Sequence, residues 1–308
     1  MLTTTLLPLL IASLSTLTSA TTSSKRGLVY VPSKNANEAK DDQIWISGSS
    51  DLTWYYNYGA SPSAVFNGHL NFVPMLWGAP ASNTDMTFYN TVKGLIDSGV
   101  NISYVLAFNE PDGASNGGSN VPADTAAATW IRELEPLRKL GVKLGAPAVT
   151  GAPTGFNWLQ NFFTACAGNC TADFIPVHWY GNFEGLASHI GQVRGTYPNM
   201  TVWVTEYADA SVSLQASQSF ANQSSEYFDR IDYITHYSYF GSFRSSASNV
   251  GPNAAMLNQD GKLTDIGSWY LGGAATGVVP KGSGASAAGR PLAWGALLAG
   301  VVGLVGLL

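Results

Sequence analysis

The sequence predicts an α/β fold, a single (β/α)8 TIM barrel, on three observations. Eight β-rich runs succeed one another, segments with a helical apolar period separate most of them, and the span between two terminal signals is 257 residues (27–283), the usual size of one such barrel. The runs are 27–31, 53–56, 71–75, 103–108, 143–147, 174–179, 201–206 and 233–239. After the third, 85–98 opens on Asp85 as a cap and carries Phe88, Val92, Leu95 and Ile96 on one face. After the fourth, 124–140 repeats the pattern through Ala127, Ile131, Leu134 and Leu137 and stops at Gly141. Helical segments 157–165, 185–197 and 214–230 complete the set. The stretch 31–70 is the least regular, and no internal repeat, charge run or linker divides the domain.

The two ends read as targeting segments. Residues 1–20 have a short apolar core at 6–12 and small residues Thr18-Ser19-Ala20 for cleavage, the pattern of a secretory signal peptide. The dibasic pair Lys25-Arg26 is either a place for trimming to Gly27 or two solvated charges in a loose leader. Residues 291–308 are almost wholly apolar, behind a small-residue cluster at 282–286 and a short spacer with Arg290. That is the form of a glycosylphosphatidylinositol (GPI) attachment signal, with the anchor expected at Ser283 and 284–308 removed as a propeptide. A permanent C-terminal membrane helix is the rival reading.

Within 27–283 there are 12 basic and 20 acidic residues, a net charge of −8. An acidic, sparsely charged surface argues against nucleic acid as a partner and suits a neutral ligand. Carbohydrate is neutral, and nine Trp and fourteen Tyr supply flat apolar faces for sugar rings. Such a chain is expected to work as a monomer.

Cys166 and Cys170 are the chain's two cysteines. On a secretory route they are expected to form a disulfide, since four residues apart on a helix their Cα atoms lie about 6 Å apart. No further Cys and no suitably spaced His pair joins them, so no metal and no cofactor is expected. Four N-glycosylation sequons start at Asn101, Asn169, Asn199 and Asn222. The first three precede strands four, six and seven, on the face away from the strands' carboxyl ends.

The chemistry is carried by two strand ends. The run Ser103 to Phe108 leads into Asn109-Glu110-Pro111, and Pro111 excludes helical backbone at Glu110, so extended backbone is expected there. Ninety-six residues later Thr201-Val202-Trp203-Val204-Thr205 leads into Glu206. Barrel active sites gather at the carboxyl ends of the strands, and strands four and seven face each other across that mouth. Two carboxyl groups so placed are what glycosidic bond cleavage requires.

At Phe108-Asn109-Glu110-Pro111-Asp112 and Val204-Thr205-Glu206 the chain resembles clan A glycoside hydrolases. With Phe72-Val73-Pro74-Met75-Leu76-Trp77-Gly78, Ala146-Pro147-Ala148-Val149 and Val177-His178-Trp179-Tyr180 it resembles the fungal Asl1-like domains of glycoside hydrolase family 128, over about residues 27–275. The resemblance implies retaining cleavage of β-1,3-glucan, with Glu110 as a general acid/base of raised pKa and Glu206 as nucleophile. It implies that Asn109 donates to the sugar 2-hydroxyl, or else ties the strand end to a loop. His178 either orients Glu206 or a substrate hydroxyl or is a core histidine, and Tyr180 is similar. Trp77 either floors a sugar subsite or packs under the loops, and Tyr58 is a further binding candidate in an aromatic cluster. Where the family often has Trp near the end of strand eight, this chain places Tyr239 as a smaller platform.

The leading expectation is an endo-β-1,3-glucanase held at the cell surface and wall by a lipid anchor. A transglycosylase, a β-1,4- or β-1,6-glycanase, and a non-catalytic glucan-binding wall protein remain alternatives.

Overall fold

In a computed structural model the described residues are 23–280. The signal peptide read over 1–20, the anchor site at Ser283 and the propeptide over 284–308 lie outside them. All eight expected strands form: β1 (Gly27–Val29), β2 (Trp54–Tyr56), β3 (Asn71–Phe72), β4 (Tyr104–Val105), β5 (Lys143–Leu144), β6 (Phe174–Tyr180), β7 (Thr201–Ala208) and β8 (Ile234–Tyr239). Every strand pair is parallel and joins sequence neighbours. The ladders group into three short sheets, β1-β2-β3, β4-β5 and β6-β7-β8, and not into one unbroken sheet. Single parallel bridges join them: Met75 to Leu106, Gly145 to Phe174, and Arg26 to Tyr237.

The helices are α1 (Thr87–Asp97), α2 (Ala123–Glu133), α3 (Glu135–Arg138), α4 (Pro153–Cys166), α5 (Phe183–Thr196), α6 (Leu214–Arg230) and α7 (Asp265–Tyr270). The single helix expected over 124–140 is divided into α2 and α3. Pro136 has no N–H to continue the ladder and disfavours helical backbone at the residue before it. The other termini follow their caps: Pro153 opens α4, Asn182 Oδ1 accepts from Gly185 N at 3.0 Å to open α5, and Ser213 Oγ accepts from Ala216 N at 3.2 Å to open α6. The irregular early stretch forms 3-10 helices at Ala36–Ile46 and Ala64–Phe66, so the first two crossovers lack an α-helix.

Aromatic rings fill the inner side at the amino ends of the strands. Trp203 of β7 stacks on His236 of β8 (centroids 3.7 Å apart) and on Phe174 of β6 (4.1 Å), with Trp54 of β2 and Tyr104 of β4 closing the group at 5.1 and 4.9 Å. These rings need room that glycines in β1 and just past the end of β5 provide. A Cβ on Gly27 would overlap the Trp54 indole, and one on Gly145 would sit 2.6 Å from the Phe174 ring. The outward residues of the same strands bury against the helices, as Tyr207 does on Phe228 of α6. Offset and edge-to-face ring pairs of this kind add to their area burial.

The reading of Lys25-Arg26 as two solvated charges in a loose leader is overturned. Lys25 Nζ donates to the carbonyls of Phe228, Asp229 and Ile231, satisfying the C-terminal end of α6. Arg26 is 4 % exposed; it donates to the Tyr237 hydroxyl at 2.9 Å and pairs with Asp51 at 3.0 Å. The pair is part of the folded body.

Cys166 and Cys170 are disulfide-bonded, with Cα atoms 5.5 Å apart. They do not share a helix: α4 ends at Cys166, Ala167 turns left-handed with φ 47°, and Cys170 lies in the next turn of chain. By loop-closure entropy, so short a loop stabilises by about 2 kcal/mol. Replacing both cysteines by Ser should lower the denaturation free energy by about that amount in a urea titration.

Burial holds His236 and His189 down to a pKa of about 4, against 6.5 for the free side chain. The unfolded chain therefore binds these protons first. The stability they confer is complete above pH 6.5 and is lost as pH falls from 6.5 toward 4. A His236→Phe variant, which keeps a ring on Trp203, should lose less stability over that interval than the wild type in thermal melts; equal slopes would contradict this.

Candidate active site

An irregularity in β7 aims the central side chain. Between Val204 and the next paired residue, β7 carries one residue more than either neighbour: Val204 and Glu206 pair with Val177 and His178, and Val204 and Tyr207 pair with Tyr237 and Tyr239. A bulge of this kind breaks the two-residue alternation and re-aims the side chains beyond it. Trp203 and Glu206, three residues apart, thus both face inward while Tyr207 packs outward on α6. The Thr205 carbonyl at the bulge accepts from the Tyr56 hydroxyl at 3.0 Å and the Ser238 hydroxyl at 2.5 Å, which fixes it.

Strand β6 keeps its alternation, so Phe174, His178 and Tyr180 share the inward face. Glu206 accepts a hydrogen bond on each oxygen: Tyr58 donates to Oε1 at 2.7 Å and Tyr180 to Oε2 at 2.5 Å. His178 Nδ1 lies 3.1 Å from Glu110 Oε1 and 3.6 Å from Glu206 Oε2. A donor atom from each of Glu110, His178 and Glu206 falls within 4.8 Å of the others. Such a trio also spans the reach of a cation site. Both Glu206 oxygens, however, already receive hydroxyl hydrogens, an arrangement suited to a carboxylate that acts on an organic substrate.

Glu110 differs from the extended backbone expected. Its φ is +42°, in the left-handed region, which the steric conflict with Pro111 does not close as it closes the right-handed one. The residue is held there by Glu110 N donating to the Ala148 carbonyl at 2.7 Å and Gly113 N donating to the Glu110 carbonyl at 2.9 Å. Asp112 clamps the loop, accepting from Thr150 N at 2.9 Å and the Thr150 hydroxyl at 2.5 Å. A strained backbone of this kind persists only where the surroundings over-determine it.

Burial works to lower the His178 pKa, but the Glu206 charge, the Glu110 hydrogen bond and charge, and the Asp112 charge outweigh it, and the net shift is upward. The hydroxyls of Tyr58 and Tyr180 are pushed well above the ordinary tyrosine value, by burial and then by the Glu206 charge. Both therefore stay protonated, and remain donors, at neutral and mildly alkaline pH.

The family described as the glycosyl hydrolase catalytic core matches residues 27–270. The chain belongs to that family. It is 29% identical over 258 residues to the alkali-sensitive linkage protein 1 of Schizosaccharomyces pombe, covering 81% of this chain and 44% of that protein; the chain thus spans less than half the length of this relative. Among solved structures it resembles a curdlan-specific exo-β-1,3-glucanase of glycoside hydrolase family 128 from Blastomyces gilchristii, at 28% identity and TM-score 0.64, covering 80% of this chain and 97% of that one. An endo-β-1,3-glucanase of the same numbered family from Sorangium cellulosum matches at 26% identity and TM-score 0.64, covering 82% and 99%. The resemblance to Asl1-like domains of glycoside hydrolase family 128 is therefore correct.

Within this catalytic-core fold the structure brings together Glu110, His178, Glu206, Tyr58 and Tyr180. Asn109 adjoins them, its side-chain nitrogen donating to the Gly117 carbonyl at 2.9 Å, so in this state it ties the strand end to a loop. Trp77 is 42 % exposed and flanks a groove with Ala60, Pro80 and Ser119; its carbonyl accepts from Asn109 N at 2.9 Å, which places that groove beside the acids. Tyr180 is 38 % exposed, its ring reaching solvent while its hydroxyl stays on Glu206.

Tyr239 is a correction. It is 1 % exposed and packs edge-on against Tyr207, so it offers no face to a sugar. It has the outward parity of Tyr237, and Phe240 instead meets the Tyr180 ring at 5.6 Å. Sequence reasoning passed over Tyr56, Asp112, Thr150 and Phe240. Counting alternation along β8 and from Trp54 through Tyr56 to Tyr58 would have found Phe240 and Tyr56; the Asp112–Thr150 clamp joins distant segments and left no local signal. The sequon asparagines Asn101, Asn169, Asn199 and Asn222 are all exposed.

Loss of one charge-assisted hydrogen bond costs roughly 1.5–3 kcal/mol. Tyr58→Phe and Tyr180→Phe should each lower glycoside turnover by about 10- to 100-fold with KM little changed, in steady-state kinetics. A change confined to KM would place these hydroxyls on substrate instead of on Glu206.

Proposed function

We propose that this chain is a retaining endo-β-1,3-glucanase, with Glu206 as nucleophile and Glu110 as general acid/base. The observation that carries this reading is the approach of the two carboxylates, an oxygen of each within 4.8 Å. Retaining enzymes hold their carboxyl groups about 5–5.5 Å apart, whereas inverting enzymes leave about 6.5–9.5 Å for a water. The similarity to β-1,3-glucanases supports glucan as the substrate. Glu110 gives its proton to the glycosidic oxygen as Glu206 attacks the anomeric carbon. The leaving chain departs protonated, and a glycosyl ester to Glu206 remains. Glu110, now a carboxylate, takes a proton from water as its oxygen attacks the same carbon, and Glu206 is released. Two tyrosine donors keep the Glu206 charge localised and aimed until the bond forms, and His178 bridges both acids so that neither moves alone.

Three further readings belong to the same proposal. The eight strands act as a (β/α)8 barrel, supported by the bridges that link the three sheets in ring order and by the inner layer drawn largely from even-numbered strands. The protein is secreted, N-glycosylated and GPI-anchored at the cell surface and wall, supported by the terminal sequence patterns alone. It works as a monomer on polymeric glucan.

The test is product analysis on laminarin, pustulan and mannan. Cleavage of laminarin to mixed oligosaccharides whose new ends are β by proton NMR is expected; α ends, or glucose alone, would overturn retention or endo action respectively. Glu206→Ala should abolish turnover with glucan binding kept. Glu110→Ala should be partly rescued by azide on substrates with good leaving groups, since such groups need no proton and azide replaces the base.

A further inference from the structure

The four sequon asparagines are all exposed, but the structure holds them in different ways. Asn101 lies in the loop before β4. The Ser103 hydroxyl donates to its Oδ1 at 3.1 Å, and its Nδ2 has no partner among the described residues. That amide nitrogen is free on an open loop, with the hydroxyl of the same sequon already beside it. Asn169 is the opposite case. Its Nδ2 donates to the Cys166 carbonyl at 3.1 Å, and its backbone N donates to the same oxygen at 2.8 Å.

Asn169 also sits inside a covalent ring. The Cys166–Cys170 bond closes around it, and Cys170 is the middle residue of its own sequon. Within the ring Ala167 and Gly168 are both left-handed, with φ of 47° and 82°. The third sequon residue is held from outside the ring. Thr171 N donates to Glu135 Oε2 at 3.1 Å, and Arg138 Nη1 donates to the Thr171 carbonyl at 3.4 Å. Asn169 is thus open to water but fixed on both sides. The transferase that adds an N-glycan must seat the asparagine and the hydroxyl residue two places on in its own cleft. The chain between them has to bend to fit, and here the disulfide sets the bend.

We propose that Asn169 is a redox-gated modification site, which accepts an N-linked glycan only while Cys166 and Cys170 are still thiols. The proposal rests on the secretory route proposed above. In the transfer step Asn169 Nδ2 bonds to the anomeric carbon of a lipid-linked oligosaccharide. The bond from that carbon to the diphosphate breaks, the diphosphate leaves with the electron pair, and the amide gives up one proton. Closing the ring first removes the acceptor. Four residues of separation keep the entropy cost of closure small. Disulfides form in seconds or longer, the time in which a chain is synthesised. Glycan and disulfide therefore race, and the redox state of the compartment sets the outcome.

The test is translation of the full chain into microsomes, with the occupancy of each sequon read by mass spectrometry of glycopeptides. It compares wild type under oxidising conditions, wild type with dithiothreitol, and Cys166→Ser/Cys170→Ser, which keeps the sequon. In oxidised wild type, occupancy at Asn169 is expected to be severalfold below that at Asn101. In the other two samples it should rise to the Asn101 level. Equal occupancy of Asn169 in all three overturns the proposal. Asn222 is the control for slow folding, because its sequon hydroxyl, on Ser224, is wholly buried in folded α6. A matching rise at Asn222 would assign the effect to delayed folding and would likewise overturn the gate. If Asn101 carries no glycan, the secretory reading fails on its own, and the same comparison behind a heterologous secretory signal still decides the gate.

Discussion

The extra residue in β7 is the constraint on which the site depends. A regular strand that buries Trp203 in the inner aromatic layer would send Glu206 outward into α6. The bulge lets one strand serve both the packed floor and the reactive mouth. Its exposed carbonyl is then satisfied by hydroxyls from two other strands, Tyr56 from β2 and Ser238 from β8. Removing either donor would leave that acceptor beside Glu206 with one hydroxyl partner in place of two, so floor and mouth are coupled through one peptide group.

Around that carboxylate the groups converge from separate strands. Tyr58 follows β2, Glu110 follows β4, and His178 and Tyr180 lie on β6. None is close to Glu206 in sequence; the parallel arrangement delivers them to one end because every strand runs the same way. The left-handed backbone at Glu110 is the local penalty of that delivery. The Asp112–Thr150 clamp and the Ala148 carbonyl offset it by fixing the loop on both sides.

Much of this was legible from the chain. Strand order, the two glutamates and the small set of aromatic and histidine partners follow from β-rich runs ending in polar residues, which are local signals. The division of α2 from α3 was also local, written in Pro136, and was missed because the apolar period ran through it. Tyr239 was misplaced for a different reason: nearness to the strand end was weighed and alternation was not. The Glu110 backbone is held by Ala148, and Lys25 and Arg26 are held by α6 and Tyr237, partners that lie far along the chain, and no window along the sequence contains them.

The embedded dibasic pair has a consequence for the order of events in the protein's life. A protease that recognises paired basic residues must draw an extended stretch of chain into its own cleft. Here that would mean withdrawing Lys25 from the end of α6 and Arg26 from the Tyr237 hydroxyl and the Asp51 carboxylate. Cleavage after Arg26 therefore competes with folding and has no equilibrium of its own afterwards. A chain that folds promptly closes this dibasic stretch to such a protease, and only a slow or failed folder stays open to the cut.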